Sequence, residues 1–395
     1  MDTSHRLPIR LRIALYSHDA VGLGHVRRNL AIASALAPLG ADILLLTGTP
    51  SASVLPRPAG CEVLGLPALA KDPGGRYRAR HLELAADDLL RLRGRVAEAA
   101  LLEFDPDLLI IDKHPRGVGY ELDGVLERLR SRGGTRVVLG LRDILDEPHR
   151  TLSEWREDDS SAALAAWYDE VWVYGDPQVH DVESQLTVDG PLPVPVHHTG
   201  YLTSPVRANR APHPDGPFVV GTVGGGCDGV ALAAAVAAAE LPAGHRAVVV
   251  TGPDMPQADH TLVEIVAAGR PEIEVHRMVP GLDALLDQAS AVVTMGGYNA
   301  VCESMARGLP TLVVPRVVPR REQQVRAQAL ARLGAVDVLE PQQATAQAVG
   351  DWLRGAVHRV HARPAGIDLR GLDRVQQNAR RLLAGAVRRS HRAVS

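Results

Sequence analysis

Three short stretches of this chain combine residue types that can bind phosphate, take up a proton or hold a sugar. The first is Ser17-His-Asp-Ala-Val-Gly-Leu-Gly-His-Val26, in which an apolar run enters Gly22 and Gly24 and leaves as a helix. Backbone N–H groups and the positive end of a helix dipole suit an anion there. Arg27 stands where a third glycine would complete a dinucleotide fingerprint, so that reading is excluded. His25 opens the helix, where a neutral imidazole could serve as general base, its pKa lowered by the helix end. The same histidine could instead cap or pack the turn. Asp19 and Asp143 stand behind it as candidate bases.

The second stretch is Val223-Gly-Gly-Gly-Cys-Asp-Gly229. Gly224, Gly225 and Gly226 could let a phosphate approach the backbone, or could simply make a tight turn. No Gly-Lys-Ser/Thr follows, which disfavours a nucleotide-hydrolysing P-loop. The third runs from Thr294 through Gly296-Gly297-Tyr298, Glu303 and Gly308-Leu-Pro310 to Pro315, and then to Arg320-Arg-Glu-Gln-Gln-Val-Arg326. Glu303 could accept two hydrogen bonds from a vicinal diol, and Gln323 and Gln324 could bond sugar hydroxyls. Taken singly, such residues are ordinary solvated helix surface.

These stretches need strands to position them. Short runs rich in Val, Ile and Leu predict strands at Arg12–Ser17, Asp42–Thr47, Leu108–Ile111, Arg136–Leu141 and Glu170–Tyr174. They resume at Phe218–Val223, Arg246–Thr251, Ile273–His276, Ala291–Thr294 and Thr311–Val314. Continuous apolar strands alternating with helix-length segments indicate parallel sheets covered on both faces, an α/β fold. The Pro-rich, aperiodic stretch 203–217 reads as a linker between residues 1–202 and 218–366. Residues 367–395 carry an amphipathic helix, Asp368–Val387, expected to pack back on the body. Asp112-Lys-His-Pro115 and Arg142-Asp143 fall at strand ends of the first half.

Composition bounds the function. The 395 residues are 46% hydrophobic and 23% charged, the balance of a globular protein. With 43 basic and 46 acidic residues the net charge is −3, which gives no electrostatic footprint for nucleic acid. Three scattered cysteines suit neither a disulfide framework nor a zinc site. The opening ten residues hold no long apolar stretch, and no run approaches the ~20 residues that span a bilayer, so a cytoplasmic placement is expected.

In the order and spacing of its motifs the chain resembles family 28 glycosyltransferases of the GT-B fold. The resemblance lies in Gly22-x-Gly-His25, the glycine turn at 224–226, and the stretch from Gly296 through Glu303, Gly308-Leu-Pro310 and Pro315 to Gln323-Gln324. It implies two Rossmann-like domains facing across a cleft, with a carboxyl-terminal helix crossing back. It further implies a nucleotide-sugar donor, expected to be a UDP-sugar, held by the second half. Glu303 would then bind ribose, the backbone of Arg277-Met278-Val279 the base, and Gly224–Gly226 and Gly296–Tyr298 the diphosphate. Gln323 and Gln324 would meet the donor sugar, while His25 would lie beside the reacting centre. Gly22, Gly24, His114 and Arg142 would line the acceptor side. Pro319-Arg-Arg-Glu322 departs from the family pattern, and the acceptor does not carry over.

The expected reaction is inverting glycosyl transfer to an acceptor hydroxyl or amine, without metal or resident cofactor, the halves closing about 200–217. Two other functions suit the same architecture: hydrolysis or 2-epimerisation of the nucleotide sugar, and nucleotide-sugar binding without catalysis.

Overall fold

A computed structural model describes residues 10–18, 23–72, 76–204, 213–279 and 281–390. The first half contains β1 (Arg12–Ser17), β2 (Asp42–Thr47), β3 (Cys61–Gly65), β4 (Leu69–Lys71), β5 (Tyr77–Ala79), β6 (Leu108–Asp112), β7 (Arg136–Arg142), β8 (Glu170–Tyr174) and β9 (Val196–His198). The second contains β10 (Phe218–Thr222), β11 (Arg246–Val250), β12 (Ile273–His276), β13 (Ala291–Thr294), β14 (Thr311–Val313) and β15 (Asp337–Val338).

Seven strands form one parallel sheet in the order β3-β2-β1-β6-β7-β8-β9, and six form another in the order β12-β11-β10-β13-β14-β15. β4 and β5 pair as a separate antiparallel hairpin. In each large sheet the chain runs outward to one edge, then returns to the middle and fills the other side. The reversal falls between β1 and β6 in the first sheet and between β10 and β13 in the second. Crevices at such switch points, beyond the carboxyl ends of the strands, are where open α/β sheets bind ligands.

Alternation along β1 shows why helices must cover both faces. Ile13 and Leu15 pack with Val26 and Leu30 of helix Gly24–Leu36, whereas Ala14 and Tyr16 pack with Ala97 and Leu101 of helix Ala86–Phe104. The carboxyl-terminal helix Gly371–Ser390 buries Val375, Ala379, Leu382 and Leu383 in the cluster of helix Gly24–Leu36. Gln376 also donates to the Ala35 carbonyl at 2.8 Å, and Arg381 grips Glu170 at 2.6 and 2.7 Å. Among the described residues no helix is long and apolar enough to cross a membrane.

Candidate active site

The ends of β1 and β6 bring His25 to Asp112. Tyr16 pairs with Ile111 in the ladder, so the residues that follow each strand emerge side by side. His25 Nδ1 lies 2.5 Å from Asp112 Oδ2, and Arg28, one turn further on, donates Nη2 to both Asp112 oxygens at 2.6 and 2.8 Å. Arg28 Nη2 is also 2.8 Å from His25 Nδ1. Both cannot donate to one another, and the close carboxylate assigns the proton to Nδ1. Nε2 has no partner among the described residues and keeps its lone pair, while the side chain retains 16% of its exposure. Burial pulls the imidazole pKa down to about 3, outweighing the pull of Asp112 in the other direction. Burial pushes the Asp112 carboxyl up, but Arg28 and His25 hold it well below the usual range. The result is a neutral, oriented imidazole beside an ionised carboxylate.

Lys113, next in sequence, has φ +75°, a conformation that costs a non-glycine residue energy and turns the chain sharply after β6. His114 follows, its ring 4.5 Å from that of His18 and its Nδ1 3.5 Å from Asp158. Burial lowers the pKa of His114 as well. His18 in turn stands 5.6 Å from His25, ring to ring, so three imidazoles crowd this edge of the first half.

Opposite stand the turns of the second half. Gly224 and Gly226 have φ +67° and +96°, and a Cβ on Gly226 would lie 2.1 Å from the Thr251 carbonyl oxygen. Gly296 has φ +78°, where a Cβ would press on Val313 at 2.6 Å. Helix Tyr298–Arg307 starts immediately after Gly297, and Asn299 reaches across to donate to the Gly24 carbonyl at 3.0 Å. The amino termini of two helices, one from each half, therefore meet at the cleft.

Glu303 lies on that helix with 12% of its side chain exposed, bound to Arg307 Nη1 at 2.5 Å. Arg307 Nε in turn approaches Asp287 at 2.6 Å. Burial pushes the Glu303 pKa above the usual carboxylate range, with Arg307 opposing. Arg277 braces the loop after β12 by donating to the Met255 carbonyl and to Gln257, whereas the side chain of Met278 is half exposed. Gln323 and Gln324 are both half-buried, Gln323 accepting from the Arg316 N–H at 3.0 Å.

Two expectations need correction. Asp143 is no candidate base: it is fully buried, and Arg326 binds both its oxygens at 2.7 and 2.8 Å. The Tyr201 hydroxyl and the Ile144 N–H occupy it further. Tyr298 does not reach toward a diphosphate. Its ring is buried against Tyr201, between Arg28 and Arg326, and its hydroxyl accepts the Leu202 N–H at 3.1 Å. Asp19 and Gly22 lie outside the described residues.

The sequence reading missed Asp112 and Arg28 as partners of His25. The available signal was an aspartate closing the apolar run Leu108–Ile111 and an arginine three residues after the histidine. A groove of about 840 Å³ between helices Ala86–Phe104 and Asp123–Arg132 shares no residue with this cleft.

Residues 222–362 match the glycosyltransferase family 28 C-terminal domain. The UDP-N-acetylglucosamine--N-acetylmuramyl-(pentapeptide) pyrophosphoryl-undecaprenol N-acetylglucosamine transferase of Salmonella arizonae is 33% identical over 158 residues, 40% of this chain and 44% of that protein. The match thus spans less than half of the relative's length. Among solved structures, Acinetobacter baumannii MurG superposes with a TM-score of 0.54 at 16% identity, covering 96% of this chain and all of its own. The glycosyltransferase VinC, solved with dTDP, gives 0.59 at 17% identity over 96% and 100% of the two chains. At such identities the likeness establishes the fold, which is GT-B. The residues that match the family 28 domain make up most of the second half of that fold.

Proposed function

We propose that this protein is a glycosyltransferase that moves a sugar from a nucleotide-sugar donor, a UDP-sugar, to an acceptor hydroxyl or amine. The observation that carries the reading is the neutral His25, oriented by Asp112 and Arg28, at a cleft whose other wall is the family 28 domain. In this reading the acceptor's nucleophilic atom gives its proton to His25 Nε2 and attacks the anomeric carbon, while the nucleotide diphosphate leaves. The attack comes from the side opposite the leaving group, which inverts the anomeric configuration. The backbone amides at Gly224–Gly226 and Gly296–Gly297, with the dipole of helix Tyr298–Arg307, stabilise the diphosphate's growing charge. These groups suit a reaction that needs no metal. Glu303 accepts the ribose hydroxyls, and Gln323 and Gln324 contact the donor sugar.

Calorimetry with UDP on the wild type and on Glu303→Ala tests the donor site. Loss of the diol hydrogen bonds should weaken UDP by roughly 5- to 150-fold, or about 1–3 kcal/mol. Asp287 remains beside Arg307 in the variant, so melting temperature serves as the control for folding. Unchanged UDP affinity in a folded variant would remove Glu303 from the donor site. Nucleotide release or an epimerised sugar from donor alone would indicate hydrolysis or 2-epimerisation instead.

A further inference from the structure

Of three arginines around the cleft, Arg28, Arg326 and Arg142, only the first two hold a carboxylate in direct contact among the described residues. Arg28 is neutralised by Asp112, and Arg326 by Asp143. The side chain of Arg142, beside Asp143 at the end of β7, makes no hydrogen bond or ion pair among the described residues, and its Nε is buried without a partner. Glu322 acts on its charge at longer range, but that carboxylate is bound through Oε1 to Arg316 at 2.7 Å. Burial and the like charges of Arg28 and Arg326 bring the Arg142 pKa down to about 10 against the pull of Glu322 and Asp143, which still leaves it a cation at neutral pH. Holding a guanidinium partly out of water with its buried Nε unbonded and no carboxylate in contact is costly. A ligand anion would offset that cost, and the planar fork of arginine suits an oxyanion bound through two parallel hydrogen bonds.

We infer that Arg142 receives an oxyanion of the acceptor, a carboxylate or a phosphate, and thereby selects anionic acceptors; this rests on the glycosyl-transfer reading above. Placement assigns the anion to the acceptor and not to the donor. β7 belongs to the first half and pairs with β6, Asp112 facing Gly140 in the ladder. Arg142 is also near enough to His25 for its charge to act on the imidazole. The donor's diphosphate has its own glycine turns on the second half. An acceptor gripped at Arg142 would present its nucleophile to His25 in one orientation, the kind of positioning that makes attack effectively unimolecular.

The test is calorimetric titration of inorganic phosphate, and separately acetate, into the UDP-saturated wild type, Arg142→Lys and Arg142→Gln. Phosphate should bind the wild type, bind the Lys variant several-fold more weakly, and lose at least about tenfold in the Gln variant, the scale of one charge-assisted pair. Acetate should follow the same order. UDP affinity should stay within about twofold throughout, and Arg142→Gln should melt close to the wild type because no side-chain hydrogen bond of Arg142 among the described residues is lost. Should the Gln variant fail to fold, the Lys variant carries the comparison. Equal phosphate binding in wild type and variant, or none in either, overturns the inference. A matching loss of UDP affinity also overturns it, by moving Arg142 to the donor's diphosphate. A wild type that binds no UDP, yet binds phosphate through Arg142 in its absence, counts against the donor reading alone.

Discussion

At the scale of single residues, the proposed chemistry turns on how the fold disposes of charge around His25. A solvated imidazole titrates near ~6.5. Here burial brings it to about 3, and the base form is the one with no proton on Nε2. Its contribution to an acid limb of turnover is therefore centred near 3, and the rate should stay level through pH 6. His25→Ala should lower turnover by roughly 10²–10⁴-fold with UDP affinity little changed, a typical general-base contribution. Initial rates across pH, wild type against variant, check both; a midpoint near ~6.5 would return the imidazole to solvent. The same shift bears on stability. The folded pKa lies below the unfolded one, so on acidification the unfolded chain takes the proton first, and stability falls as pH drops from ~6.5 toward about 3. Asp112, also depressed, adds a loss at still lower pH, below its unfolded ~3.9. Urea midpoints should fall less steeply over that upper range in His25→Gln. His25 was legible in sequence because a helix start after Gly-x-Gly is local. Asp112 was not, because its partnership depends on which strand lies beside β1, 87 residues away in the chain.

At the scale of elements, the ten strands expected from apolar runs all occur, with ends shifted by at most one residue. The five not anticipated, β3, β4, β5, β9 and β15, are sheet-edge strands or the separate hairpin, each two to five residues long. Half-exposed edges need no continuous apolar run, so they leave little pattern to read. Helix Tyr298–Arg307 ends at Gly308, whose backbone is left-handed. What pattern could not give is the crowding around individual glycines. Gly226 and Gly297 read alike as members of glycine turns, but their surroundings differ. Gly226→Ala meets a carbonyl oxygen and a left-handed backbone, and should cost roughly 1–3 kcal/mol. Gly297→Ala, at φ −58° with no heavy atom within 4 Å of its Cβ, should change stability by no more than roughly 0.5 kcal/mol. Denaturant melts of the pair check this. Equal stabilities would mean that the turn at 224–226 relaxes freely and is no rigid cradle.

At the scale of the whole molecule, the two halves are joined across the cleft by contacts of unequal depth. One apolar cluster runs from Leu15 and Val26 of the first half through Tyr298 and Met305 to Leu330 of the second. Asp143 and Arg326 pair inside it with 1% side-chain exposure each. Arg320 binds the buried Asp146 and the partly exposed Glu154, and toward the rim Arg321 binds Glu147 and Arg150 donates to the Pro319 carbonyl. Arg320 and Arg321 are thus both spent on the facing half. The pairs also differ in what they hold. The Arg321–Glu147 partners are 51% and 31% exposed, so salt and side-chain entropy leave such a bridge worth ~0–1 kcal/mol. The Asp143–Arg326 pair is unscreened, and removing one partner strands the other charge, a loss of roughly 3–5 kcal/mol. Asp143→Asn should therefore destabilise the protein severely and loosen the halves, giving a larger radius of gyration by small-angle scattering. Arg321→Ala should do neither. Raising ionic strength from about 0.1 M to about 1 M shortens the screening length from about 10 Å to about 3 Å. That change should leave the wild-type scattering curve unaltered, because only the rim pairs feel it. A wild type that expands in salt, or an Asp143→Asn protein with native stability and scattering, would show that the rim and not the buried pair keeps the halves together.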